Sequence, residues 1–163
     1  MHKVIEIKMQ NYIKSQTRLA FVQYIFQNEF LNVDSSESIE DFQKHFYDTN
    51  ISIIDEKKEF KLKFNKNFLN KLFLSLKNNI DKKNIIDDLN DFIDINRRFE
   101  KWDNILKSII FAIIAELLIT EKHKVKIVFN DYLNISKSLV SQKETKLINA
   151  IIQKYIDKNE IIK

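Results

Sequence analysis

The chain has 163 residues, 44% of them hydrophobic, with a formal net charge of +4 and no cysteine, glycine or proline. That length and apolar content predict one domain, residues 1–163, with a core of its own. Without cysteine there are no disulfides or thiolate metal sites, which fits a reducing compartment such as the cytoplasm; without glycine there is neither a phosphate-cradling loop nor a glycine-flanked serine elbow.

Helical periodicity recurs along nearly the whole chain. A first helix is expected from about Lys8 to Phe30, with Leu19, Val22, Phe26 and Phe30 spaced as one face. MHKVIEIKMQ, ahead of and into it, has no apolar core long enough for a signal peptide. After a polar stretch, Ser38 can cap a second helix that runs to about Asp48, with Asp41 standing where a capping box has Glu. Thr49 to Phe64 alternates enough to suggest strand, but two isolated short strands are marginal on their own, so a loop with some extended backbone is expected. Further helices are expected over about Lys66–Asn78, Lys82–Ile95, Glu100–Thr120, Val125–Leu139, and from Ser141 to near Lys158. The fifth of the seven is the most apolar and belongs at the centre. Its greasy run, Ile109 to Ile119, is broken by Glu116 and too short to span a bilayer, so no membrane association is expected. The fold class is all-α, a compact bundle of about seven helices.

Few residues suggest catalysis. His2, His45 and His123 lack second ligands at helical spacing, so no metal or cofactor is expected. Asp87, Asp91 and Asp94 line one flank of a helix and read as a solvated acidic face, though three carboxylates can also hold a hard cation. Glu116, alone in an apolar helix, suits a structural ion pair or a helix-capping role better than a tuned acid. A small enzyme built on these carboxylates remains an alternative, and a metal-dependent melting shift would reveal it.

Charge is more informative. Lys3, Lys8, Lys14 and Arg18 open the first helix with Glu6 as the nearest acid, and Lys14 and Arg18 share a face. Arg18 is one of only three arginines, and its fork suits phosphate. Lys137, Lys143 and Lys146 flank the junction of the last two helices. If the two ends meet, Lys3, Lys14, Arg18, Lys137, Lys143 and Lys146 form one cationic strip for a polyanion; the alternative is that they only solubilise the chain. Gln23, Asn130 and Asn149 are expected to fix helix junctions by hydrogen bonds, since a buried unpaired amide costs about 1–3 kcal/mol.

Four stretches resemble the NusB family of transcription antitermination factors. RLAFVQYIFQ (Arg18 to Gln27) is similar to that family's opening helix through Arg18, Val22, Gln23 and Phe26. KIVFNDYLNISKSL (Lys126 to Leu139) resembles its Val-x-Ile-Asn-Glu-x-x-x-x-Ala-Lys segment through Ile127, Asn130, Asp131 and Lys137. KLINAII resembles Lys-Phe-Val-Asn-Gly-Val-Leu through Lys146, Ile148, Asn149 and Ile151, with Ala150 in place of Gly. AELL (Ala115 to Leu118) resembles a Tyr-Glu-Leu of the fifth helix, where Phe111 replaces a common Arg. The resemblance implies an all-α fold of two small helical subdomains without catalytic activity. It implies binding of boxA-type single-stranded RNA in ribosomal transcripts, together with the ribosomal small-subunit protein NusE, and loading onto RNA polymerase. The alternative is a non-catalytic helical protein-interaction domain that does not bind RNA.

Overall fold

The computed structural model describes residues 2–30, 53–55, 58–60 and 64–161. It is an all-α fold of six described α-helices: α1 (His2–Ile25), α2 (Lys66–Asn79), α3 (Lys82–Asn90), α4 (Asn104–Leu117), α5 (Val125–Leu139) and α6 (Gln142–Lys158). Five residues of π-helix, Phe26–Phe30, continue α1. The helix expected over Ser38 to Asp48 lies outside the described residues. Where a loop with some extended backbone was expected, β1 (Ile53–Asp55) pairs antiparallel with β2 (Lys58–Phe60), Ile54 opposite Glu59.

Local chemistry sets most helix ends. The Asn65 side chain accepts from the Phe68 N–H to cap α2, and Asp81 does the same for α3 through Asn84. Ser141 and Glu144 form a reciprocal capping box at α6, which satisfies two of the donors that open a helix. At the far end of α6 the chain must turn left-handed. Glu160 does so at φ 53°, while its N–H bonds to Asp157 and that of Ile161 to Ile156. These are the two bonds of a Schellman ending, made here without the glycine that usually supplies it.

Two expected helices are shorter than their periodicity suggested. α3 stops at Asn90, whose side chain accepts from the Phe99 N–H at 2.9 Å and donates to Glu100 at 3.0 Å. Asp94 then caps a 3-10 turn over Ile95–Arg97. Asn and Asp here satisfy backbone groups that a longer helix would have used, a competition typical of these side chains. α4 starts only at Asn104 because Phe99–Lys101 forms a second 3-10 turn, with the Trp102 indole donating to the Arg97 carbonyl at 2.9 Å.

α4 organises the core. Its residues 108–117 are buried all round, as expected of a helix apolar on every face, and it packs against α1, α2, α5 and α6. Ile109, Ile110, Ile113, Ile114 and Leu117 meet Phe21, Val22 and Ile25 of α1, Leu69, Leu72 and Phe73 of α2, and Tyr132, Ile148 and Ile152 of α5 and α6 in one continuous cluster. Burying each such aliphatic side chain stabilises the fold by about 1.5–3 kcal/mol. The core face of α1 differs from the expected one: Phe21 and Ile25 join Val22 in the interior, while Leu19 is half-buried.

Candidate nucleic-acid interface

Arg18 lies in the middle of α1 and is 7% exposed. Its position there follows from spacing, because Val22 and Ile25, four and seven residues on, face the core and share its side of the helix. Its Nε donates to both Glu116 carboxylate oxygens at 3.0 and 2.9 Å, and Nη2 donates to Oε1 at 2.8 Å. Nη1 reaches Asp131 Oδ2 of α5 at 2.7 Å. The Ser15 hydroxyl donates to the other Asp131 oxygen at 2.7 Å. The rings of Phe68 and Tyr132 have their centroids 5.3 and 5.8 Å from the guanidinium carbon. One side chain thus joins α1, α4 and α5 and touches α2.

The electrostatics explain why the charge is tolerated. Burial pulls the Arg18 guanidinium down, but its hydrogen bonds to Glu116 and that carboxylate's charge raise it above its ordinary value. Two acids against one base leave the cluster net negative. A second polar tie lies alongside: the Asn65 N–H donates to the Thr17 hydroxyl at 2.9 Å. Asn65 is the cap of α2, so this bond helps hold Phe68 against Arg18.

Tyr132 is buried within the same cluster, its hydroxyl beside the Glu116 carboxylate. Burial, then the neighbouring Glu116 charge, push its hydroxyl well above the ordinary value of 10.0. The unfolded chain, with an ordinary tyrosine, therefore loses this proton first. The stability contributed is complete below about pH 10 and is lost as pH rises above it. Tyr132→Phe should flatten the alkaline decline of the urea midpoint between about pH 9 and about pH 11. An unchanged decline would exclude Tyr132 as its source.

Arg18 corrects one expectation. It was expected on the phosphate-binding surface, yet each of its three nitrogens donates inside the protein, to Glu116 or to Asp131. The three amides are corrected too: Gln23, Asn130 and Asn149 are all exposed and fix no buried junction. Gln23 follows Arg18 by five residues, which turns it about 140° away, so when Arg18 points inward Gln23 points out. The carboxylates expected as an acidic flank divide. Asp87 is exposed, Asp91 accepts from Lys158 of α6 at 3.2 Å beside Asp88, which was not in the expected set and accepts at 2.9 Å, and Asp94 serves as a cap. No cluster of His, Asp or Glu suited to a metal ion occurs among the described residues, and none of their helices is long and apolar enough to cross a membrane.

The lysines are all exposed: Lys3, Lys14, Lys137, Lys143 and Lys146. Their relation runs through α5. Ser15 and Arg18, next to Lys14, grip α5 at Asp131. The start of α6, with Lys143 and Lys146, is tied to the end of α5 by Ser136 and Thr145 at 3.3 Å. Asp131 and Lys137 are six residues apart, and so point about 120° from one another around α5. Asp131, where α1 is gripped, and Lys137 therefore lie toward different flanks of this helix. Ile127, 69% exposed, forms the outer ridge between them with Asn130 and Asn134. Lys137 itself donates to Asn134 Oδ1 at 3.3 Å. Lys3 stands apart, on a stretch of α1 where residues 3–12 are all exposed.

An all-helical module whose outer helix carries lysines and amides, and whose buried arginine is paired internally, has the makings of a binding protein. The profile of the NusB family matches residues 15–157, and the chain belongs to that family. It is similar to the transcription antitermination protein NusB of Rickettsia massiliae, 28% identical over 145 residues covering 86% of this chain and 89% of that one. It is likewise similar to the Rickettsia felis protein of the same name, 28% identical over 153 residues, 91% and 94% of the two chains. No solved structure matches the chain significantly. The chain is a transcription antitermination factor, a regulatory protein and not an enzyme.

Proposed function

We propose that this factor works in the cytoplasm by holding boxA-type single-stranded RNA of nascent ribosomal transcripts across the outer face of α5, together with NusE, on elongating RNA polymerase. The observation that carries this reading is the outer ridge of α5. Ile127, Asn130 and Asn134 are exposed along it. Lys14, next to the Ser15 that bonds Asp131 of α5, is exposed, and so are Lys137, Lys143 and Lys146. The lysines neutralise phosphates, while the amides of Asn130 and Asn134 supply donors and acceptors for base edges; sequence in single-stranded RNA is read on such edges. Arg18 acts indirectly in this scheme, by fixing α1 on α5 so that Lys14 sits at the ridge.

The test is a titration of a boxA-type RNA into the protein with and without NusE. Binding that is salt-dependent and tightened by NusE is expected. No binding in either case would leave the rival reading, a helical protein-interaction domain that does not touch RNA.

A further inference from the structure

A second surface combines aromatic and cationic groups away from the α5 ridge. The end of α1, the end of α2 and the start of α3 enclose a groove of about 700 Å³ lined by Tyr24, Phe73, Leu76, Lys77, Ile80, Asp81, Lys82 and Lys83. Its aromatic wall is held in place: the Tyr24 ring meets Phe73 edge-to-face at 4.4 Å, and Phe73 meets Phe21 at 5.9 Å. Phe73 is buried, whereas Tyr24 is half-exposed to the groove. The floor is apolar, from Leu76 and Ile80.

The rim is positive. Lys77 ends α2, Lys82 and Lys83 begin α3, and all three are exposed. The one acid among its described lining residues, Asp81, is engaged locally, accepting from the Asn84 N–H at 3.3 Å and the Asn84 amide at 2.8 Å. An apolar, aromatic-walled cleft with a cationic rim fits a flat ring carrying phosphate. That is the chemistry by which single strands are bound, through stacking on aromatic faces along a positive groove.

We propose that this groove takes a nucleotide of single-stranded RNA, its base against Tyr24 and its phosphates between Lys77 and Lys83. The proposal rests on the RNA-binding reading above and extends it: Tyr24 lies ten residues beyond Lys14 on α1, about 15 Å along its axis, so only a strand longer than the α5 ridge requires reaches both.

The experiment uses the full chain and fluorescence anisotropy with two labelled RNAs, a short boxA-type strand and the same strand lengthened by a uridine tract. Lys77→Ala with Lys83→Ala should weaken the longer RNA about fivefold and flatten its salt slope by about 1.4 units, the value for two phosphates on a single strand, while the short RNA is unaffected. Tyr24→Leu should weaken the longer RNA with little change of slope, and Tyr24→Phe, which keeps the ring, should bind as the parent does. Circular dichroism confirms that each variant is folded. If the longer RNA binds the lysine variant as tightly as the parent, the groove is not an RNA contact. If free uridine monophosphate competes at the groove as well as the long strand does, the site belongs to small nucleotides and the RNA proposal is wrong. Loss of binding only on changing Lys14 and Lys137 would overturn the groove and leave the α5 reading intact; no RNA binding by the parent protein would overturn both.

Discussion

Glu116→Ala lowers the stability of the protein by about 3–5 kcal/mol, the penalty for leaving one member of a buried ion pair without its partner. Glu116 takes three of the four hydrogen bonds that Arg18 makes to carboxylates. Without it the guanidinium keeps only Asp131 and sits between Phe68 and Tyr132 with two donor groups unsatisfied. A shift of that size is a large share of the 5–15 kcal/mol that holds a typical domain folded, so the urea midpoint should fall sharply. The triple variant Arg18→Met with Glu116→Leu and Asp131→Asn removes all three charges of the cluster and keeps the volume. It should recover most of the loss, because apolar groups of similar size often replace a buried ion pair without penalty. If Glu116→Ala unfolds at the parent's urea concentration, the pair is not the joint between α1 and α4 described above.

The second large effect is on binding. Changing Lys14, Lys137, Lys143 and Lys146 together to alanine removes four cations around α5. If each neutralises one phosphate, the slope of log affinity against log salt should flatten by about 2.8 units, the value for four contacts on a single strand. That is about a fiftyfold difference in sensitivity between 50 mM and 200 mM salt. Since all four side chains are exposed, thermal stability should be nearly unchanged, which separates this variant from Glu116→Ala. A parent-like slope in the quadruple variant would show that phosphates lie elsewhere.

These two variants also mark what the sequence discloses and what it hides. The apolar periodicity of α2, α5 and α6 set their limits closely, because each buries a well-defined face against the core. Residues 3–12 of α1 bury nothing, so no periodicity announces the stretch before Lys8, and only the absence of helix breakers lets the helix start at His2. Asn90 and Asp94 end α3 by side-chain bonds to backbone, which apolar spacing does not register. Glu116 was recognisable as an ion-pair member from its isolation in an apolar helix, but its partner was not. Arg18 looked like a surface cation because it begins the run that Lys14 leads into. The missed signal was that Phe21, Val22 and Ile25 follow it at core spacing, so the side chain at Arg18 points inward with them. Gln23, Asn130 and Asn149 were misplaced for the converse reason: each adjoins a buried residue in sequence, and on a helix adjacent residues point to different sides.

The central claim is that α5's outer ridge, and not Arg18, meets the RNA. Amide and side-chain NMR shifts recorded while boxA-type RNA is added test it directly. The account predicts that the signals of Asn130, Asn134, Lys137 and Lys143 move, and that the Arg18 guanidinium resonance stays where it is. A moving Arg18 signal with a silent α5 ridge would contradict it.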